Sequence, residues 1–261
     1  MAVASVSVAA PSPARAQSFT VAPIETQLDC RTYFVWWGWW MIVECRNNFL
    51  AIRSRIESAL SESMGGSVSA NDRGSYEVRG HIAELGVEQT GFSAADSVQN
   101  VRRAVGRMDI SVIDRRSGRI VVARTVTAQA EIGSYAATQS GGDSNGMSGR
   151  AAYDPIQRKL ALAAARAVAF HFRPLQVTGV ENGDIRLNHG GSIMPMGALV
   201  LVQGSGRPGR YRIIASGAGS ALAEADGDVA TVSAGQAAEY VEETDPQNQG
   251  RRNRRTRLPE F

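Results

Sequence analysis

The sequence predicts an α+β fold: a mixed sheet with two packed helices, followed by a small C-terminal β-barrel. Three observations carry that expectation. Apolar residues recur at helical spacing from Asn48 and again from Asp154, alternating segments lie between those stretches, and beyond Pro174 only short strands separated by turns remain. With 261 residues, 43% hydrophobic and 20% charged, the chain suffices for one large domain or two small ones around a sizeable core.

Residues 1–16 are read as a signal peptide, because Ala14-Arg15-Ala16 before Gln17 fits the A-x-A pattern of a cleavage site. Periplasmic location with outer-membrane association follows. No Lys or Arg precedes Arg15, so an Ala/Ser/Pro leader without an export role is the plainer alternative. Phe19 to Glu25 reads as a short buried strand. Cys30 and Cys45 are the only cysteines, and in an oxidising compartment they are expected to form a disulfide worth roughly 3 kcal/mol on the chain-entropy estimate. Their spacing is neither Cys-x-x-Cys nor a zinc pattern.

Between them, Tyr33 to Val43 holds all four tryptophans, Trp36, Trp37, Trp39 and Trp40, around Gly38. Eleven residues are too few for a membrane helix, which needs ~20, although a membrane β-strand needs only ~9–11. A core strand and an exposed aromatic loop are both open. On the second reading the four indoles are the contact to a partner or to the membrane.

From Asn48, the residues Phe49, Ile52, Ile56, Ala59 and Leu60 mark an amphipathic helix that Gly65 and Gly66 stop. Val68 to Ala70 suits a short strand, and Tyr76 to Leu85 a longer one. Met108 to Asp114, a turn at Arg115-Arg116-Ser117-Gly118 and the return Arg119 to Glu131 make the strongest hairpin signal. Thr138 to Gly149 reads as a Ser/Gly/Asp loop. Asp154 then caps a helix with Pro155 at its first position, whose stripe of Ile156, Leu160, Ala164, Ala167 and Val168 runs to about Phe172. Short strands follow at Leu175 to Val180, Ile185 to Asn188, Ala198 to Gln203, Arg210 to Ala215 and, in two pieces, Val229 to Val241, with a turn at Asn182-Gly183. The domain plan is therefore 17–173 with an insertion at 30–45, a barrel over 174–243, and a disordered Arg-rich tail over 244–261.

Net charge is +3, and Arg251, Arg252, Arg254, Arg255 and Arg257 place much of it in that tail. The body is near neutral, so nucleic acid is not an expected partner. The five arginines suit an anionic surface at ~1 kcal/mol per charge, with a solvated tail as the plainer reading.

No catalytic, cofactor-binding or metal-ligating residue is predicted. Gly204-Ser205-Gly206-Arg207-Pro208-Gly209 spells G-x-G-x-x-G but precedes a strand, whereas a dinucleotide site needs a helix there. Gly142-Asp143-Ser144-Asn145-Gly146 spells G-x-S-x-G without the strand–turn–helix of a nucleophile elbow. His81, His171 and His189 stand apart, and Asp109, Asp114, Asp226 and Asp228 form no acid/base pair. The expected activity is binding rather than catalysis.

The order strand, helix, strand, strand, hairpin, helix resembles the periplasmic domain of the curli-secretion CsgG family. Tyr76-Glu77-Val78-Arg79-Gly80 and Ile113-Asp114-Arg115-Arg116-Ser117-Gly118-Arg119-Ile120 carry the resemblance, over about residues 19 to 173. The segment VTGVENGDIRLNHGGSIMPMGALVLV is similar to the C-terminal barrel of the flagellar T-ring protein FlgT. These resemblances imply a CsgG/TolB-N-like sandwich, an SH3-like barrel, and a non-enzymatic assembly or secretion-accessory role with envelope proteins as partners and a homo-oligomeric state. The alternative they imply is a subunit of an oligomeric outer-membrane secretion channel. The chain departs from the curli channel in lacking its lipoprotein cysteine and in the tryptophan-rich insertion.

Overall fold

A computed structural model describes residues 18–26, 31–34, 41–44, 50–64, 74–94, 97–138, 141–146, 154–204, 208–227 and 231–242. In chain order the first part contains β1 (Phe19–Val21), β2 (Glu25–Thr26), β3 (Arg31–Phe34), β4 (Met41–Glu44) and α1 (Leu50–Met64). There follow β5 (Tyr76–Ala94), β6 (Ser97–Asp114), β7 (Ile120–Thr138), β8 (Gly141–Gly146) and α2 (Asp154–Phe172). The fold class is α+β, and the main sheet is mixed. Its order is β1-β5-β6-β7-β8 with β2 also beside β5, and only β1 and β2 run parallel to their neighbour.

The strand read over Phe19 to Glu25 is two pieces. Pro23 lies between them, and a residue without an N–H cannot carry a ladder through. Phe19 and Val21 are wholly buried, and the Phe19 ring packs 5.6 Å from Tyr76 and 5.0 Å from Phe172, tying β1 and β5 to the end of α2. Both helices lie on one face of the sheet. Ile52, Ile56 and Leu60 of α1 and Ile156, Leu160 and Val168 of α2 are buried there over Val78, Ile82, Met108 and Val112. Gly106 lets α2 approach: a Cβ at that position would come 2.7 Å from Leu160 Cδ1.

The strands outrun the helices. At ~1.5 Å per residue the 19 residues of α2 span about 28 Å, whereas at ~3.3 Å per residue the 19 of β5 or β7 span about 63 Å. Among the described side chains, the last buried ones toward the β5–β6 tip are Leu85, Ala104 and Ile132. Beyond them β5, β6, β7 and β8 continue as an antiparallel ribbon. The loop read over Thr138 to Gly149 is corrected here, since Gly141 to Gly146 pairs with Gly133 to Thr138. Glycine and serine show no apolar alternation, so a strand held by backbone bonds alone leaves no periodic trace.

The second part contains β9 (Val177–Glu181), β10 (Asp184–Leu187), β11 (Leu199–Val202), β12 (Gly209–Gly217), β13 (Ser220–Ala225) and β14 (Ala238–Val241). Their order is β14-β11-β12-β13-β10-β9, and a bridge between Gln176 and Ala237 draws the two outer strands together into a part-closed barrel. Asn182 (φ 54°) and Gly183 (φ 90°) form the β9–β10 turn in the left-handed region that Asn and Gly tolerate. One strand was not anticipated and one reading is corrected. Ser-Ala-Leu-Ala-Glu-Ala is a strand despite its alanines, because pairing with β12 and β10 on either side fixes it. Residues 231–233 are not a strand, so the last segment supplies β14 alone.

Tyr33 to Val43, read as a single apolar run, is interrupted: β3 and β4 pair antiparallel from Arg31↔Glu44 to Phe34↔Met41, joined through residues 35–40. Trp36, Trp37, Trp39, Trp40, Cys30, Cys45, Val68 to Ala70, the leader over 1–16 and the tail with Arg251, Arg252, Arg254, Arg255 and Arg257 lie outside the described residues.

Candidate functional site

Three polar constellations stand out among the described residues: a joint under the barrel, a groove on the uncovered sheet face, and a cleft beside α2. The joint begins with Arg173, one residue past α2. Its Nη2 donates to the carbonyl oxygens of Ser63 at 2.7 Å and Asn188 at 2.6 Å, linking the end of α1 to the barrel. His189 is fully buried beside it, with Phe170 edge-on at 5.0 Å. The imidazole Nε2 donates to the Arg173 carbonyl oxygen at 2.6 Å, which leaves Nδ1 to accept from Arg173 Nη2 at 3.3 Å. Burial pushes His189 down to about 4, and the adjacent guanidinium acts in the same direction. Glu62 adds a further tie by accepting the Ser192 N–H at 3.0 Å, and that hydrogen bond holds its carboxyl below the usual range. Together these contacts tie both helices to the barrel.

On the sheet face away from the helices, register sets Glu25, His81, Asp109 and Thr125 in one row across β2, β5, β6 and β7. Thr125 Oγ1 donates to Asp109 at 2.6 Å. Arg79 beside this row is paired with Glu77 at 2.7 Å, which holds the Glu77 carboxyl low, with Arg115 adding to the effect. The row borders a groove of ≈ 490 Å³. Asp109 thus meets a hydroxyl and a histidine position rather than a second carboxylate. No group of His, Cys, Asp and Glu among the described residues is placed to hold a metal ion.

The cleft, of ≈ 460 Å³, lies between β7, α2 and β14. Arg166 dominates its depth: buried, it pairs with Glu242 through Nε at 2.8 Å and Nη2 at 2.6 Å, and it lies 4.3 Å from the Tyr240 ring centre. A forked pair over an aromatic face satisfies the guanidinium and binds α2 to the last strand. Sequence reading passed over Arg166 because it sits within an alanine-rich helical stripe; a lone cation on an otherwise apolar face was the available signal. Ala163, Ala167 and Phe170 line the floor, and Arg124 stands exposed on the β7 rim.

The two motif spellings fall on or between strands. Gly142 to Gly146 lies within β8, and Gly204 to Gly209 joins β11 to β12, an antiparallel pair. No helix among the described residues is long and apolar enough to cross a membrane, which says nothing of strands.

No protein-family model matches the sequence, and no curated protein matches it. Solved structures similar to it include a Xanthomonas campestris protein of family DUF330, at 13% identity and TM-score 0.37 over 61% of this chain and 86% of that one. A PelC dodecamer from Paraburkholderia phytofirmans gives 14% identity and TM-score 0.34 over 62% and 91%. A minor lipoprotein from Acinetobacter baumannii gives 12% and 0.31 over 61% and 96%. Likenesses of this size assign this chain neither a family nor an activity.

Proposed function

We propose that this chain is a non-enzymatic envelope protein, exported by its leader, that serves as an assembly or secretion-accessory component through protein–protein contacts. A curli-type secretion system or a flagellar-ring-like scaffold is the setting the sequence resemblances support. The observation that carries the reading is the β5–β8 ribbon beyond the helix layer, a protruding strand surface of the kind that suits partners rather than substrates. The tryptophan cluster between β3 and β4 is a second proposed contact.

A ribbon of adjacent hairpins also brings the channel alternative forward. Its charges weigh against lipid contact. Glu88, Arg103 and Glu131 face one another in register across β5, β6 and β7, while Arg102 pairs with Gln89, whose position alternates with Glu88 on β5. Each face of the ribbon therefore receives one arginine, and an arginine on the lipid side costs ~2–4 kcal/mol at mid-bilayer. This reading keeps the ribbon in water.

The test replaces residues 89–102 with an Asn-Gly turn and follows the protein in the envelope after chemical cross-linking. An unchanged melting temperature with loss of the high-mass cross-linked species is expected. Full retention of that species, or a wild-type chain that stays in the cytosol, overturns the reading.

A further inference from the structure

The cleft beside α2 is bounded on one side by a strand edge with no neighbour among the described residues. β8 pairs with β7 only from Gly133 onward, so among the described residues Ile120 to Ile132 offers its outer N–H and C=O groups unpaired. Proteins ordinarily blunt such an edge with proline or lysine, and this stretch contains neither. Ile120 is 63% exposed at its start. Arg124 projects on the helix side of β7, in register with buried Ile110, and makes no ion pair among the described residues. Arg166, deeper in the same cleft, is already held by Glu242.

We infer that this cleft takes one extended segment of a partner protein, which adds as a strand to the free edge of β7, places a carboxylate on Arg124 and rests a bulky apolar side chain on Ala163, Ala167 and Phe170. Small residues on the floor leave the room, the edge demands an extended backbone, and Arg124, without an ion pair among the described residues, selects an acidic occupant. Two other occupants fit less well. The chain's own tail would bring Arg251, Arg252, Arg254, Arg255 and Arg257 toward Arg124. A second copy pairing β7 to β7 antiparallel keeps even residues opposite even ones, so Arg124 never meets Glu131, the strand's one anion. The inference rests on the contact function proposed above but uses a different surface from the ribbon tip.

The test uses the full chain and two synthetic six-residue peptides, Val-Thr-Glu-Thr-Val-Thr, in which the valines share the face of the Glu, and the same peptide with Lys for Glu. Hydrogen exchange and fluorescence anisotropy are read up to ~1 mM peptide, the weak end of measurable affinity. The Glu peptide is expected to bind and to slow exchange across 120–128, with affinity about tenfold lower in Arg124→Glu, which should prefer the Lys peptide. Equal binding of both peptides, no binding, or protection elsewhere overturns the assignment. So does protection of 120–128 in the free protein that vanishes on deleting 244–261, or on dilution to monomer, since the tail or a second copy would then be the occupant. Loss of the cross-linked species on shortening the ribbon would stand in any of these cases.

Discussion

The imidazole of His189 and the backbone of Arg173 hold each other: Nε2 meets the Arg173 carbonyl oxygen at 2.6 Å while the same residue's guanidinium returns to Nδ1 at 3.3 Å. One residue thereby presents both an acceptor and a cation to a buried ring. Only the neutral imidazole satisfies both contacts, because a second ring proton would point at the guanidinium. Since Arg173 also bonds the last turn of α1 and the Asn188 carbonyl, the protonation state of His189 is coupled to the seat of the barrel on the helices.

Stability should therefore depend on pH in a defined window. The folded value of about 4 lies below the ordinary 6.5, so the unfolded chain binds the proton more tightly. The contribution of His189 is fully present above pH 6.5 and is lost as pH falls toward 4. Between pH 6.5 and 5 the loss should be about 1.5 kcal/mol, before the low-lying carboxyls of Glu62, Glu77 and Asp154 begin to protonate. Urea midpoints across this range should fall in the wild type and stay flat in His189→Gln. Equal slopes for the two proteins would dissociate the histidine from the joint.

Glycine next to that histidine is the second test. A Cβ at Gly190 would be driven against the carbonyl oxygens of Gly217 and Ser220, which belong to the β12–β13 hairpin and cannot swing aside. Gly190→Ala should cost about 3 kcal/mol or more, in the range of overpacked cores. Gly179→Ala, where a Cβ meets nothing within 4 Å, should change stability by less than ~0.5 kcal/mol. Comparable urea midpoints for the two variants would mean that the hairpin yields at Gly190.

How much of this was legible in the sequence follows from what each element depends on. Helix α2 matched its reading at both ends because Pro155, the Ile156–Leu160–Val168 stripe and Pro174 are local signals. The Asp114–Ile120 turn is equally local. β8 and β13 were missed because pairing with neighbours, rather than side-chain pattern, makes them strands. β5 and β6 run further than their alternation, because backbone pairing from Leu85↔Gly106 to Ala94↔Ser97 carries the hairpin to its tip, and backbone pairing leaves no side-chain pattern to read. At the sites, the isolation of the histidines was readable, but no local signal joins Arg166 to Glu242 or sets Arg124 beside the edge of β7, for these depend on residues far apart in the chain.

The β3–β4 pair sharpens one expectation about the cysteines. Its four described pairs, Arg31↔Glu44 through Phe34↔Met41, each sum to the same number, and Cys30 and Cys45 are the next residue on either side of Arg31 and Glu44 in sequence. In an oxidising compartment the only two cysteines of the sequence are expected to bridge. Non-reducing intact mass of protein taken from the envelope should therefore be about 2 Da below the reduced mass, the loss of two thiol hydrogens. Reduction should then lower stability by roughly 3 kcal/mol on the chain-entropy estimate for a loop of this size. A chain recovered with both thiols alkylatable would remove the bridge, and with it the oxidising compartment as an explanation for the pair.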